Sequence, residues 1–419
     1  MKSINKLNIY IILTLAGTLL TGCGHNNKQK EKVKAPATAN ISIDQDLHAQ
    51  LSAFAAKPRM KGQFALYVYD LTADKPVYGY NEHKSIPVAS CLKLLSGVAG
   101  LHLMGSQYTY DTSIYTHGKV ENGTLHGDAA FKGGLDPQLS GPALTMFAKA
   151  LRKKGIRKMD GRMIMDLVIT EPVKSEQHWY PWDLSFSRYG ILYKGAPKIM
   201  KEMKAALHNQ GISVADSQMV LGKVPKGSRC QLRFHRSIGL VIDRMWKHSS
   251  NTQATSLLYT IGHRVNPKGE PTLTGVTYLK TFLRETLGQK DTSLVVHDGC
   301  GLCTYNHLSP LALVAILRYG YNDKPIYQKL LKHLSLSGVD GTLRGELNDA
   351  KLRGKIHGKT GTLSHPYGIS SLAGYCKGSN GHTLAFAIMD SEMSVLDARV
   401  LQDKLCHTLV GISKSKPQR

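Results

Sequence analysis

Pro87-Val88-Ala89-Ser90-Cys91-Leu92-Lys93-Leu94-Leu95 places a serine three residues before a lysine inside an otherwise apolar run. Read as a helix, positions i and i+3 share one face, so the Ser90 hydroxyl and the Lys93 amine can meet while Val88, Leu92 and Leu94 pack elsewhere. A serine hydroxyl becomes a strong nucleophile when a neighbouring base takes its proton, and lysine serves as that base when burial or nearby cations lower its pKa. Moving a lysine from about 10.4 to near 7 requires about 4 to 5 kcal/mol of differential stabilisation. Only a sheltered pocket supplies that. Taken alone the spacing is common, and an amphipathic helix with a solvated Lys93 accounts for it equally well.

Two further stretches shift the balance. Lys247-His248-Ser249-Ser250-Asn251 holds a Ser-x-Asn, and Gly358-Lys359-Thr360-Gly361-Thr362 holds a Lys-Thr-Gly. In this order with Ser-x-x-Lys, they form the trio found in penicillin-binding proteins and class A β-lactamases.

The whole chain bounds the setting. Its 419 residues, 42% hydrophobic and 20% charged, suit a globular protein with room for two domains. Lys and Arg number 54 against 30 Asp and Glu, a net charge of +24 that favours an anionic partner. The basic residues are spread along the chain without an arginine-rich arm, zinc-finger spacing or RNA-binding signature, which argues against nucleic acid and for an envelope setting.

Lys2 and Lys6 precede an apolar stretch from Leu7 to Leu20, too short for a comfortable membrane span and right for a signal-peptide core. It ends in Leu20-Thr21-Gly22-Cys23, which resembles a bacterial lipobox. Residues 1–23 are therefore expected to be a lipoprotein signal, with Cys23 lipidated and the protein held to a membrane in the cell envelope without spanning it. Residues 24–40 are polar and lysine-rich and predict a disordered tether.

Folded structure is expected from residue 41. Ile43, Leu47, Leu51 and Phe54 recur at helical spacing, Phe64 to Tyr69 and Val77 to Tyr80 read as a hairpin, and the Ser90 helix follows. From 108 to 230 the texture changes to short strands such as Met163 to Thr170 alternating with helices, predicting an inserted α/β domain. Two of those helices share a pattern, Pro142 with Gly155-Ile156 and Pro197 with Gly211-Ile212, the asymmetry of proline at a helix start and glycine past its end. Residues 231–413 read as helices followed by a meander around Lys359, Ile369 to Tyr375 and Thr383 to Met389. A closing helix is marked by Ala398, Leu401, Leu405 and Leu409, and residues 414–419 form a basic tail. The terminal segments together predict one sheet covered by terminal helices.

On these residues the sequence resembles the penicillin-binding protein 4 type D-alanyl-D-alanine carboxypeptidases and endopeptidases, the low-molecular-mass class C penicillin-binding proteins. Gly133-Gly134-Leu135-Asp136-Pro137 is similar to the family's Gly-Gly-Gly-Asp-Pro, and His297-Asp298-Gly299-Cys300-Gly301-Leu302-Cys303 to its Asp-Gly-Ser-Gly-Leu-Ser. Gly338-Val339-Asp340-Gly341-Thr342-Leu343 is similar to its Gly-Val-Asp-Gly-Thr-Leu. The resemblance implies a serine β-lactamase/transpeptidase-like domain, an antiparallel sheet flanked by helices with a helical region, carrying one inserted α/β domain between residues 108 and 230.

It also implies roles. Ser90 would attack the carbonyl of a terminal D-Ala-D-Ala bond and Lys93 would take its proton. Ser249 would pass a proton to the leaving amine, and Asn251 would orient Lys93 and the substrate amide. Lys359 would supply positive potential, while Thr360, Thr362 and Asp298 belong to the substrate-binding set. The backbone N–H groups of Ser90 and Thr362 would form the oxyanion hole. Gly361 fits a strand edge that a peptide approaches closely. Peptidoglycan peptides and β-lactam antibiotics are the implied partners, with no metal or organic cofactor.

The sequence departs from the family at Ser250 for Asp, Cys91 where Thr is common, Cys300 and Cys303 at serine positions, and Thr304 for Arg. Cys300 and Cys303, with His297 and His307, also stand at a spacing that a zinc ion or a disulfide could use. Two other readings compete. A β-lactamase needs a deacylating carboxylate that no stretch supplies. An idle peptidoglycan-binding lipoprotein has no need of an intact Ser–Lys pair.

Overall fold

The computed structural model describes residues 41–57, 61–174, 179, 189–365 and 367–411. The signal segment, Cys23, the tether and the basic tail lie outside the described residues.

Helix α1 (Gln45–Ala56) leads into strands β1 (Gln63–Asp70), β2 (Lys75–Tyr80) and β3 (Ile86–Pro87), then helix α2 (Leu92–Met104). Next come β4 (Thr109–Glu121), β5 (Thr124–Gly133), α3 (Thr145–Lys153), β6 (Lys158–Met159), β7 (Met163–Leu167), α4 (Ala196–His208), β8 (Met219–Leu221) and β9 (Arg229–Ser237). Helices α5 (Ile238–Trp246), α6 (Asn251–Val265) and α7 (Pro271–Thr281) follow, then β10 (His307–Leu308), α8 (Pro310–Asn322) and α9 (Lys324–His333). The chain closes with β11 (Ser335–Leu336), β12 (His357–Leu363), β13 (Ile369–Lys377), β14 (Thr383–Ser391) and α10 (Val395–Val410).

The main sheet runs β11-β12-β13-β14-β1-β2, with every neighbour antiparallel. Its central strands β13 and β14 are buried on both faces, which explains the unbroken apolar run from Leu384 to Met389 and the lack of polar alternation in β13. Alternate residues serve two cores. Leu372, Cys376, Leu384, Phe386 and Ile388 meet Leu47, Leu51, Leu405 and Leu409 of the terminal helices. Ala373, Tyr375, Ala385, Ala387 and Met389 face the larger core that contains α2 and α8. The sheet covered by terminal helices is present as the sequence predicts.

α2 is the pivot of the larger core. Every residue from Leu92 to Leu101 is buried, the signature of a helix enclosed on all sides. Trp246 at the end of α5 lies beneath it and donates its indole N–H to the Lys93 carbonyl at 2.7 Å.

The insertion forms a second sheet in the order β8-β7-β5-β4-β9, with β6 paired to β5. The sequence boundary at 230 needs correction. Thr109 of β4 pairs with Ser237 of β9, so the insertion runs to the start of α5. Exposed, mixed-polarity β9 carries no apolar signal of its own, which is why the end was misplaced. The insertion also shares its core with the rest: Phe131, Phe147 and Met163 belong to the same buried cluster as α2 and α6. The two helices with matching caps are consecutive crossovers, since β5, β7 and β8 are parallel and α3 and α4 connect them.

Candidate active site

Ser90 occupies a short 3-10 turn, Ala89–Cys91, that feeds directly into α2, so the nucleophile candidate precedes the helix proper. The spacing argument survives because a 3-10 turn also stacks i over i+3. Ala89 holds φ +47 and Ser249 φ +54. Left-handed backbone at non-glycine residues costs on the order of 1 kcal/mol or more and persists where surrounding contacts impose it.

Lys93 is fully buried, and its Nζ has three neighbours: Ser90 Oγ at 2.8 Å, Asn251 Oδ1 at 2.7 Å and the Cys300 carbonyl at 2.5 Å. Two of these can only accept. A neutral amine has two N–H bonds and one lone pair, so the two acceptors take both protons and the lone pair is left for the Ser90 hydroxyl. Burial favours that neutral form: desolvation lowers the Lys93 pKa, with the neighbouring Cys300, Asp298 and Cys91 opposing it.

Lys359 comes from β12. It is also fully buried, and donates to Ser249 Oγ at 2.8 Å and to the Thr360 carbonyl at 2.6 Å. Desolvation, then the adjacent Lys93, lowers its pKa to about 7. The structure thus brings these residues into two adjacent sets of hydrogen bonds, Ser90, Lys93 and Asn251 in one and Ser249 and Lys359 in the other, close enough that Lys93 helps to lower the Lys359 pKa. Because Asn251 gives its oxygen to Lys93, its amide N–H groups remain for a ligand.

β11 pairs with β12 only at His357 and Gly358, and beyond them the edge from Lys359 to Leu363 has β13 on one side alone. Thr360 and Thr362 stand on that exposed length. Gly361 is absent of side chain for a reason other than the one read from the sequence. A Cβ there would come within 2.2 Å of Ser371 Oγ, 2.8 Å of the Val88 carbonyl and 3.0 Å of the Cys91 amide, so the glycine makes room for the Ser90 turn rather than for an approaching peptide.

Asp298 is likewise corrected. It is fully buried, and its carboxylate accepts from the amides of Cys300 (2.9 Å), Gly301 (2.6 Å) and Cys303 (2.9 Å) and from Trp179 Nε1 (3.0 Å). With both oxygens so engaged it organises the loop that presents the Cys300 carbonyl to Lys93 and offers nothing to a substrate. Cys300 and Cys303 are buried in that loop, and among the described residues the cysteines are unbridged. His297, Cys300, Cys303 and His307 do not converge. Among the described residues, the one group of three or more such side chains with ligand atoms within 4.8 Å of one another is Asp349, Asp403 and His407, and none of them takes part in the hydrogen bonds around Lys93 and Lys359.

Several contributors were not singled out from sequence. Trp246 under α2, Trp179 on Asp298, the Lys247–Asp340 ion pair at 2.7 Å and Thr342 against Thr360 at 2.8 Å all act through contacts distant along the chain. The glycine-rich stretch 338–342 was the one available signal for the last two.

With the geometry in place, comparison with known proteins is informative. The model of the D-Ala-D-Ala carboxypeptidase 3 (S13) family matches residues 47–189 and 192–410. The D-alanyl-D-alanine carboxypeptidase DacB of Haemophilus influenzae is 21% identical over 402 residues, 76% of this chain and 83% of that protein. A D-alanyl-D-alanine carboxypeptidase of an Actinomadura species is 29% identical over 211 residues, 48% of this chain and 37% of that one. The crystal structure of penicillin binding protein 4 from Haemophilus influenzae shares the fold with a TM-score of 0.70 at 19% identity, covering 85% of this chain and 99% of that one. A predatory peptidoglycan endopeptidase of Bdellovibrio bacteriovorus follows at a TM-score of 0.57 and 14% identity, with 86% and 97% covered. A family match spanning nearly all of the described chain settles the matter: this protein belongs to the D-Ala-D-Ala carboxypeptidase 3 (S13) family.

Proposed function

We propose that this chain is a serine D-Ala-D-Ala carboxypeptidase, an endopeptidase or both, cutting peptidoglycan stem peptides through an acyl-enzyme on Ser90 and acylated by penicillins. The observation that carries the reading is the Lys93 amine, buried and held by two pure acceptors so that its lone pair faces Ser90 Oγ at 2.8 Å. Ser90 Oγ bonds to the carbonyl carbon as Lys93 takes its proton, and the carbon–nitrogen bond breaks as a proton passes to the leaving amine by way of Ser249. Water then releases the acyl group and restores Ser90. Amides of Ser90 and Thr362 serve the developing oxyanion, where one donor is typically worth about 3 to 4 kcal/mol. Lys359, Thr360 and Thr362 receive the terminal carboxylate, and Asn251 the substrate amide. An enzyme cutting a cross-link differs only in what the leaving amine carries.

The lipobox-like Leu20-Thr21-Gly22-Cys23 and the lysine-rich segment after it support a lipid anchor on Cys23 and an envelope location. Release of D-alanine from a pentapeptide, of monomers from a cross-linked peptide dimer, or of both is expected from the full chain and absent in Ser90→Ala. Equal release by the variant overturns the acyl-enzyme. In fractionated cells the full chain is expected with membranes and Cys23→Ser in the soluble fraction; unchanged partition of the variant removes the anchor.

A further inference from the structure

Four hydroxyl and carbonyl groups form a chain from the proposed carboxylate site to the catalytic turn. Thr360 Oγ1 is 2.8 Å from Thr342 Oγ1, Thr342 Oγ1 is 3.2 Å from Ser335 Oγ, and Ser335 Oγ is 3.0 Å from the Lys247 carbonyl. The chain is tightly built. Gly341, at φ +57, has no room for a Cβ, which would stand 2.3 Å from Ser335 Oγ and 2.4 Å from the Lys247 oxygen. The Thr342 amide reaches both the Lys247 carbonyl and Ser335 Oγ, each at 3.1 Å. Lys247 Nζ is tied to Asp340 at 2.7 Å, and Asp340 also accepts from the Leu336 amide at 2.8 Å. Lys247 stands two residues before Ser249, so the far end of the chain is the base of the left-handed Ser249 turn.

Counting protons gives the chain a direction. A hydroxyl donates once, and a carbonyl only accepts. Ser335 therefore spends its proton on Lys247, Thr342 donates to Ser335, and Thr360 donates to Thr342. At rest the Thr360 proton points along the chain, away from the open strand edge. A carboxylate also only accepts, so Thr360 can hold one only by turning its proton outward. Thr342 then donates to Thr360 and Ser335 donates to Thr342, leaving the Lys247 carbonyl with the Thr342 amide alone.

We propose that Thr342 and Ser335 are positioning residues whose hydroxyl chain reverses when a substrate carboxylate binds at Thr360, relaying its presence to the Ser249 turn. This rests on the carboxypeptidase reading above. Thr342 supports the donating state of Thr360, because hydrogen bonds in series polarise one another. Ser335 acts at the other end, on the turn that carries Ser249.

The two residues therefore predict different kinetics. In Thr342→Val, KM for a peptide ending in D-Ala-D-Ala rises about tenfold with kcat within about twofold, and Thr342→Ser restores KM. In Ser335→Ala the Lys247 carbonyl keeps only the Thr342 amide whether or not a carboxylate is bound, so the Ser249 turn stands in its substrate-bound arrangement throughout: kcat and KM for the same peptide stay within about twofold, and kcat for the corresponding C-terminal amide rises about tenfold toward that of the acid. A peptide with a C-terminal amide separates the two: the preference for the free acid narrows through KM in Thr342→Val and through kcat in Ser335→Ala. If both variants change KM and kcat together in proportion to a fall in Tm, or if neither changes kinetics while wild type turns over, the relay is wrong. Absence of turnover and of penicillin acylation in wild type instead overturns the enzymatic reading itself.

Discussion

Lys93→Met is expected to lower the rate of acylation by a penicillin about 10³- to 10⁴-fold, the upper range for loss of a general base, while the protein stays folded. Methionine fills nearly the same volume and removes a buried amine. It also deprives Asn251 Oδ1 and the Cys300 carbonyl of their donor, at about 1 to 3 kcal/mol for each group left unpaired. That cost is offset by no longer having to bury a group that can charge, so Tm moves far less than the rate. Lys93→Arg should fail equally, because a guanidinium keeps its proton. The pH profile follows from the same burial. Acylation needs the neutral amine, and the Lys93 pKa is lowered by desolvation, so the rate falls as pH drops through that lowered value. Normal acylation by Lys93→Met would remove Lys93 as the base.

The second large effect runs in two directions at once. Lys359→Met should lose about 10²- to 10³-fold in kcat/KM for a carboxylate-bearing substrate and gain stability, because this lysine is poised for a ligand at the expense of the fold. Its pKa is lowered from 10.5 to about 7 in the folded chain by desolvation and by Lys93. Between those values the unfolded chain binds more protons than the folded one, so this group makes stability rise with pH across the window. The penalty is complete below pH about 7 and gone above about 10.5. Removing the amine should therefore raise unfolding stability by about 2 to 4 kcal/mol near pH 6, net of its lost bonds to Ser249 and Thr360, with the gain shrinking toward pH 10. Denaturant midpoints at the two pH values check it. A variant less stable than wild type at pH 6 would mean that the ammonium is not under strain. In the proposed reaction a bound carboxylate would raise the pKa again, so that Lys359 would carry charge with substrate present.

What the sequence reveals and what it hides divide along a physical line. Ser90 with Lys93, Ser249 with Asn251, and Lys359 in its strand are local patterns, and each pairing needs only a turn or a strand to be read. The meander is legible because burial on both faces leaves β14 apolar from Leu384 to Met389 and β13 without polar alternation, and the closing helix because its apolar residues recur at helical spacing. The end of the insertion is not, since exposed β9 mixes Arg229, Arg233 and Arg236 with Leu232 and Phe234 and buries none of them. Gly361 was read as clearance for a peptide because its real neighbours, Ser371 and the Ser90 turn, come from elsewhere in the chain. Asp298 looked like a ligand-binding acid, and only the folded loop reveals three amides and an indole already on it. Thr342 was visible within a glycine-rich motif, but its link to Thr360 depends on the register of β11 with β12.

The most direct test is intact mass after incubation with benzylpenicillin, on the chain lacking residues 1–23 and on its Ser90→Ala form, with the adduct mapped by peptide digestion. The predicted result is one penicillin mass on wild type alone, on the peptide that contains Ser90. A folded wild type without an adduct, or an adduct that persists in Ser90→Ala, contradicts the assignment of Ser90 as the acylated nucleophile.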